Sequence, residues 1–147
     1  MSIATHNIRG VTKTTNQLDI ISEMLERKID IMGLSETKLT QDNQNWAFNQ
    51  QDEYQCYTSS NQYKPYGSGV ALLIKKPLSK HVHSIQKIEG HVIIANLLFK
   101  KHKLSIIQVY LPNDKRESSR FQQLIRNQIL SKQQSNFEII VMRTSMQ

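Results

Sequence analysis

The sequence predicts an α/β or α+β domain with a mixed sheet system, and this pattern is compatible with two stacked sheets flanked by helices. Short apolar runs such as Ile29 to Leu34 and Leu104 to Tyr110 are typical of buried strands. Two stretches, opening at Thr15 and at Glu117, carry apolar residues at helical spacing. Short polar loops join several successive strands, and this arrangement indicates a mixed sheet system.

The elements can be assigned in chain order from these patterns. The first half is predicted to contain a strand over 2–8, a helix from Thr15 with Leu18, Ile21, Met24 and Leu25 on its apolar face, a strand over 29–34, a polar loop over 40–53 with a short helix near Trp46, and strands over 54–59 and 69–75. The second half is predicted to contain an alternating strand over 81–88 with His81, His83, Ile85 and Lys87 on one side, strands over 91–99 and 104–110, a helix over 117–132 with Phe121, Leu124, Ile125 and Ile129 on one face, and a last strand over 137–142.

Composition narrows the class of protein. The 147 residues suffice for one domain with a core, and no linker or repeat divides them. Cys56, the single cysteine, excludes an intrachain disulfide, favours a reducing compartment and is predicted to be a small buried strand residue. We see no membrane-spanning stretch and no secretory signal, so we expect no membrane partner and an intracellular location, in the nucleus or the cytoplasm.

The charge of the chain favours a polyanionic partner. The formal net charge is +7, and a basic surface attracts phosphates through direct contacts and counterion release. A soluble basic surface without such a partner explains the charge equally well. Together with the polar residues at the strand ends, the charge favours nucleic acid, with DNA as the expected form, and no protein partner is evident.

Polar side chains stand at the ends of three predicted strands. Glu36 follows the apolar run 31–34, Tyr110 ends the run that leads to Asn113, and Asn7 ends the first strand. Ligand crevices of open α/β sheets lie at the carboxyl ends of strands, so Glu36 is predicted to lie where a metal or a phosphate would bind. Mg²⁺ prefers oxygen ligands and usually takes one or two carboxylates, and Mn²⁺ is an alternative.

Four segments occur in order and with suitable gaps: residues 4–10 (ATHNIRG), 34–38 (LSETK), 67–71 (GSGVA) and 109–113 (VYLPN). In this combination they resemble the endonuclease/exonuclease/phosphatase superfamily, and the retrotransposon-type branch resembles them most. The resemblance extends to about Met142. It implies a four-layer sandwich, of which residues 1–142 are the N-terminal part with the C-terminal strands missing.

The resemblance also implies roles for the polar residues. Glu36 is the metal ligand, Asn7 lies beside the metal, and Tyr110 donates a hydrogen bond to a developing oxyanion. Asn113 is a substrate contact, and Lys38 and Arg9 can contact phosphates.

Each role has a simpler alternative. Glu36 is alternatively a solvated loop carboxylate, Asn7 a turn residue that caps its own backbone, and Tyr110 a packed aromatic. Lys38 and Arg9 are alternatively solvated surface cations. Ser68 lies in a Gly-Ser-Gly loop, which is only a weak indication of a role on the substrate-binding face. His81 and His83 have a spacing compatible with a metal, but no third ligand lies near them in the sequence.

The resemblance ends after residue 142. The superfamily continues with a Gly-Asp-Phe-Asn segment and later with an Asp-His pair, whereas this chain continues with Arg143-Thr144-Ser145-Met146-Gln147. We expect residues 143–147 to be an aberrant tail, which a one-nucleotide shift of an Asp-Phe-Asn-Ala reading frame would produce. A sandwich without its remaining strands is expected to have low stability or to self-associate.

Three functions remain open at this stage. The first is a Mg²⁺-dependent endonuclease-type phosphodiester hydrolase, truncated and weak or inactive alone. The second is a non-catalytic, basic nucleic-acid-binding remnant of a mobile element. The third is a phosphatase that acts on small phosphoesters.

Overall fold

The structure, a computed structural model, describes residues 1–63 and 68–145. Pro65 and Gly67 of the predicted polar loop, and Met146 and Gln147 of the tail, lie outside the described residues. Within the described ranges the chain forms eight strands, three α-helices and a 3-10 turn over Gln44–Trp46. Their bounds are β1 Ile3–Asn7, α1 Thr14–Glu26, β2 Ile31–Ser35, β3 Tyr54–Ser59, β4 Val70–Lys75, α2 Lys76–Ser79, β5 Val82–Ile88, β6 Val92–Leu98, β7 Lys103–Leu111, α3 Lys115–Gln134 and β8 Glu138–Ser145.

Two mixed sheets of four strands each form the centre of the fold. The first has the order β1-β2-β4-β3, with β1 parallel to β2 and the other pairs antiparallel. The second has the order β5-β6-β7-β8, with β7 parallel to β8 and the other pairs antiparallel. The predicted fold class, two stacked mixed sheets flanked by helices, is therefore confirmed.

Three layers of apolar side chains hold the four layers of the fold together. The first lies between α1 and the first sheet and includes Met24, Leu34 and Leu73. The second lies between the two sheets and includes Leu72 and Ile106. The third packs α3 against the second sheet. Since each sheet has an apolar side chain layer on both faces, its central strands are buried, as the continuous apolar runs predicted.

The apolar face predicted for α1 was partly wrong. Ile21 and Met24 are buried, but Leu18 is 40% exposed and Leu25 is 43% exposed. Gln17 is buried in their place because its Nε2 donates to the carbonyl oxygen of Val11 at 2.9 Å and its Oε1 accepts from the Phe48 amide at 2.8 Å. These two bonds satisfy the amide and turn the helix by about one residue.

The face predicted for the strand over 81–88 was also wrong in detail. The pairing of β5 with β6 shifts register between Val82 and Ser84. Val82 and Ile85 consequently both pack against the layer between the sheets, whereas His83 is exposed. A β-bulge inserts an extra residue and so breaks the alternation on which the prediction rested.

Strand β8 continues three residues beyond the predicted end at Met142. Arg143, Thr144 and Ser145 pair with the last residues of β7 in parallel register. The part of the tail that the structure describes therefore belongs to the second sheet.

Cys56 lies half-buried in β3 and packs against the apolar layer beneath α1. Among the described residues, no helix is long and apolar enough to cross a membrane.

Candidate active site

Four strand ends meet at one end of the sandwich. Strands β1 and β2 run parallel in the first sheet, and β7 and β8 run parallel in the second. The hydroxyls of Ser35, at the end of β2, and Thr144, near the end of β8, share a hydrogen bond across the two sheets. The carboxyl ends of all four strands therefore face the same side, where ligand crevices of such sheets form.

Glu36 and Tyr110 are in contact at this end. Glu36 follows β2 with a positive φ of 57° and is half-buried. Tyr110, in β7, is 1% exposed. Burial, the nearby Glu36 charge and the hydrogen bond between the phenol and that carboxylate raise the pKa of Tyr110 to about 12. The phenol therefore carries its proton at neutral pH.

The raised pKa of Tyr110 makes the stability of the fold depend on alkaline pH. The folded chain holds the phenol proton more tightly than the unfolded chain, so this contribution is complete below pH 10 and is lost as the pH rises to about 12. We expect Tyr110→Phe to flatten the fall in unfolding free energy over this range. Urea unfolding at several pH values measures it, in a Cys56→Ala background because burial also raises the pKa of that thiol to about 12. An unchanged slope in Tyr110→Phe would contradict the assignment.

A relay of backbone hydrogen bonds fixes the loops around Glu36. The Val11 amide donates to the Thr37 carbonyl at 2.9 Å, the Thr37 amide to the Gly69 carbonyl at 3.1 Å, and the Gly69 amide to the Gly90 carbonyl at 2.8 Å. The relay joins the loop after β1, the loop after β2, the entry to β4 and the turn between β5 and β6. Glu36 is adjacent to Thr37, so both sheets determine its position.

His91 continues this connection to Tyr110. The Tyr110 amide donates to the His91 carbonyl at 2.8 Å, and the His91 Nδ1 lies 2.5 Å from the Tyr110 carbonyl oxygen. A carbonyl only accepts, so Nδ1 carries the proton. The imidazole is buried and lies against the rings of Tyr110 and Phe121, with centroid distances of 5.7 and 4.8 Å. The sequence did not identify His91, since a histidine at the start of an apolar strand gave no distinct signal.

Asn7 lies at the end of the strand next to the one that Glu36 follows. It is the last residue of β1 and is paired with Ser35, the residue before Glu36. Its Oδ1 accepts a hydrogen bond of 3.3 Å from the Arg9 amide, so the side chain also closes the turn that the simpler alternative described.

Arg9 and Lys38 lie in the loops that follow β1 and β2, and the Lys38 side chain lies against Gly10. A Cβ atom at Gly10 would lie 3.3 Å from the Lys38 Cδ, so the lysine stem crosses the turn after β1. Arg9 and Lys38 both have positive φ values, 52° and 58°. Within the part of the chain that the structure describes, neither cation takes part in an ion pair. Two uncompensated cations therefore flank the strand ends that carry Asn7 and Glu36.

Asn113 lies in a neighbouring hollow rather than against Glu36. It follows β7 and lines a cavity of about 400 Å³. Arg120 lies on the same wall and is paired with Glu89 at 2.5 Å and Glu117 at 2.7 Å. Ser68, which the sequence gave only weak support, is fully buried next to Gly90. The structure thus brings Glu36 and Tyr110 into contact, places Asn7 at the adjacent strand end and leaves Asn113 in a separate cavity.

A largely buried, hydrogen-bonded group of three polar side chains, Gln108, Ser35 and Thr144, lies next to Glu36 and was not predicted. The Gln108 Nε2 donates to the Ser35 Oγ at 3.2 Å, and Ser35 also bonds with Thr144. Gln108 is fully buried, and its Oε1 has no hydrogen-bond partner among the described residues. A Cβ atom at Gly33 would lie 2.1 Å from that Oε1. Gln108 is a single glutamine within an otherwise largely apolar strand, and this feature of the sequence could have indicated the buried polar group.

The oxygen donors of the site are compatible with Mg²⁺. The described residues contain no group of three or more His, Cys, Asp or Glu side chains that would form a closed metal cage. Glu36 supplies one carboxylate, and Asn7 supplies an amide at the neighbouring strand end. Mg²⁺ sites in proteins are often built from one or two carboxylates completed by water and substrate phosphate. His81 and His83 form no such group, and His81 instead stacks on Phe99 with a centroid distance of 4.7 Å.

Comparison with protein families gives one match over most of the chain. The model of the Endonuclease/Exonuclease/phosphatase family matches residues 4–142. Craniofacial development protein 2 from Bos taurus is 30% identical over 111 residues, which are 75% of this chain and 18% of that protein. The chain therefore spans less than a fifth of this curated relative.

Solved structures share the fold at low sequence identity. The APE2 catalytic domain of Xenopus laevis matches with a TM-score of 0.70 and 20% identity, over 97% of this chain and 57% of that one. The 3′-5′ exonuclease NExo of Neisseria meningitidis matches with a TM-score of 0.67 and 17% identity, over 97% and 57%. TDP2 of D. rerio, complexed with a single-strand DNA product, matches with a TM-score of 0.60 and 14% identity, over 96% and 58%.

Proposed function

The chain belongs to the endonuclease/exonuclease/phosphatase family, and on this premise we propose that it carries part of a Mg²⁺-dependent phosphodiester hydrolase site that acts on nucleic acid. The observation that supports this most is the contact between Glu36 and the protonated phenol of Tyr110 at the shared end of four strands. Glu36 can hold a cation, and the phenol proton that Tyr110 directs to this carboxylate becomes available to a phosphate oxygen when a cation takes the carboxylate.

The residues divide the chemistry among themselves. Glu36 holds the cation, with Mn²⁺ as a substitute, and a bound divalent ion supplies charge neutralisation and an activated water. Tyr110 donates a hydrogen bond to a phosphate oxygen as negative charge develops on it. The Asn7 amide orients the phosphate, and Arg9 and Lys38 attract the strand on either side. Asn113 contacts the nucleotide next to the bond that is cut.

Two further observations favour nucleic acid as the substrate. The chain has a net charge of +7, and a polyanion is the partner that such a charge attracts. The solved structures of similar fold include an exonuclease and a complex with single-strand DNA, which are properties of those proteins. The chain spans 57% to 58% of these structures, so the activity of a whole domain is a proposal for this chain.

A non-catalytic role is the second candidate. Of the strands β1, β2 and β7, only β2 is followed directly by a carboxylate, that of Glu36, and Thr144 in β8 occupies the place where the resemblance expects an acidic residue. A site with this composition can bind phosphate and cation without cutting. In this alternative the chain is a basic nucleic-acid-binding protein.

A phosphatase that acts on small phosphoesters is a third candidate, and substrate panels separate it from the nuclease. The hypothesis of a shifted reading frame after residue 142 is tested by the nucleotide sequence downstream.

A nicking assay tests the proposed function. Supercoiled plasmid is incubated with the protein and Mg²⁺, and Mn²⁺ binding is followed separately by electron paramagnetic resonance. We expect Glu36→Gln to lower the nicking rate at least about tenfold, since removal of a residue that stabilises developing charge costs on the order of 100-fold, and to weaken Mn²⁺ binding.

The matched control is Glu26→Gln, which removes the same charge at the exposed end of α1. It should change neither quantity. Salt-sensitive plasmid binding without nicking would favour the non-catalytic candidate. Nicking that survives in Glu36→Gln would exclude the role given to this carboxylate.

A further inference from the structure

A cluster of basic side chains lies at the end of the sandwich opposite Glu36. Strand β7 begins at Lys103 and ends beside Tyr110, so its nine residues separate the two ends by about 30 Å. The cluster, called here the basic strip, consists of Lys80, His81, Lys100, Lys101, His102, Lys103 and Lys132. Its centre is the turn between β6 and β7, where four consecutive residues are basic.

Contacts between rings and cations join the strip into one surface. The rings of His81 and His102 both lie against Phe99, with centroid distances of 4.7 and 4.6 Å. The ammonium groups of Lys103 and Lys132 lie 4.9 and 5.1 Å from the centroid of the Phe137 ring. The strip therefore forms a continuous surface of basic and aromatic side chains from the end of α2, across the turn between β6 and β7, to the end of α3.

The positive charge of the strip is not neutralised by the protein. In the described residues, none of its five lysines forms an ion pair, whereas Arg27, Lys76 and Arg120 do. Glu138, which pairs with Leu104 next to Lys103 in the sheet, also forms no ion pair with the described residues. Such a density of unpaired lysines costs repulsion in the free protein, and a polyanion relieves that cost by phosphate contacts and counterion release.

The ring stack points to a particular form of polyanion. His81 and His102 are both exposed, so each imidazole that contacts Phe99 also has ring surface open to solvent. Surfaces that bind single strands combine a basic track for phosphates with aromatic rings on which unpaired bases stack. A duplex keeps its bases stacked internally and would use only the lysines.

We propose that the basic strip is a second nucleic-acid-binding surface, which takes single-stranded nucleic acid through lysine–phosphate contacts and base stacking on His102 and His81. It acts independently of the site at Glu36, because the two lie at opposite ends of β7. A strand or a substrate tail held here lies about 30 Å from Glu36.

The experiment measures binding without cleavage. Fluorescence anisotropy of a labelled oligo-dT strand is recorded in EDTA over a series of KCl concentrations, for the full chain and for Lys100→Gln/Lys101→Gln. Each lysine that neutralises a phosphate on a single strand contributes about 0.7 to the slope of log K against log salt. We expect the double variant to lose about 1.4 of that slope.

Controls separate the strip from general charge and from the Glu36 site. Lys28→Gln/Arg126→Gln removes the same charge outside the strip and should keep the slope. His102→Gln should weaken oligo-dT binding roughly fivefold or more and leave duplex binding unchanged, because stacking on a ring contributes about 1 kcal/mol or more per base. All variants should keep the Mn²⁺ affinity of the full chain, so failure of the Glu36 site would be seen separately.

Two outcomes would overturn the proposal. The first is an unchanged salt slope and affinity in Lys100→Gln/Lys101→Gln. The second is that these two substitutions abolish binding to vesicles of phosphatidylserine and phosphatidylcholine while oligo-dT binding stays intact, which would assign the strip to an anionic membrane surface.

Discussion

Gly69→Ala is expected to lower the free energy of unfolding by roughly 3 kcal/mol and to disturb the site at Glu36. Gly69 has a φ of 104°, a conformation that side chains with a Cβ rarely adopt. Its added Cβ would lie 2.4 Å from the Thr37 Oγ1 and 3.2 Å from the Lys38 backbone nitrogen. Backbone cannot move aside as a side chain end can, so the relay through Thr37 and Gly90 would have to shift.

Gly10→Ala is the matched control for this prediction. Gly10 has a similar φ of 113°, so the intrinsic strain of alanine is comparable at the two positions. Its Cβ would meet only the flexible stem of Lys38, at 3.3 Å and beyond. Urea unfolding should therefore show a loss of about 1 kcal/mol for Gly10→Ala, which is the strain alone. Equal losses for the two variants would show that crowding around Thr37 has no part in the effect.

Gly33→Ala is expected to cost about 2 to 3 kcal/mol because it overfills the space between the sheets. The new methyl group would occupy the position of the Gln108 side chain, 2.1 Å from Oε1 and 2.6 Å from Cδ. Gln108 is fully buried, so its amide has no solvent-filled space to enter. Its hydrogen bond to Ser35 would be lost, and a buried amide would remain unpaired.

A second substitution should reverse much of this loss. Gln108→Ala removes the group that the Gly33→Ala methyl meets, and it also removes the Oε1 that has no partner among the described residues. We expect Gly33→Ala/Gln108→Ala to be more stable than Gly33→Ala by about 1.5 kcal/mol or more, which is a coupling energy of the size found for residues in contact. Additive effects in a double-mutant cycle of urea unfolding would refute the steric explanation.

The fold was predictable from the sequence because its strands are buried on both faces. Continuous apolar runs such as Val92 to Ala95 leave a strand in the interior of a sandwich as the simplest assignment, and the structure confirms it. The two predicted helices were found, yet the side of α1 that packs inward was not predictable from apolar spacing. The two hydrogen bonds of Gln17 decide that orientation, and both partners, Val11 and Phe48, lie outside the helix.

The site was predictable only where chemistry coincided with a strand end. Glu36 and Tyr110 ended apolar runs, and the structure brings them into contact. His91, Ser35 and Thr144 were not identified, because their proximity depends on how the two sheets stack, which local sequence does not encode. Whether these residues perform the proposed reaction stays a prediction until the Glu36 variants are measured.

The register of β8 makes position 144 a determinant of electrostatics rather than a passive chain end. Thr144 pairs with Tyr110 and shares a hydrogen bond with Ser35, one residue before Glu36. A carboxylate in its place would stand close to a second negative charge in a confined volume. Two such groups cannot both ionise freely, so one would retain its proton unless a divalent cation compensated both. The side chain at position 144 thus decides whether this end of the sandwich carries one carboxylate or two. Two ionised carboxylates would require a bound divalent cation.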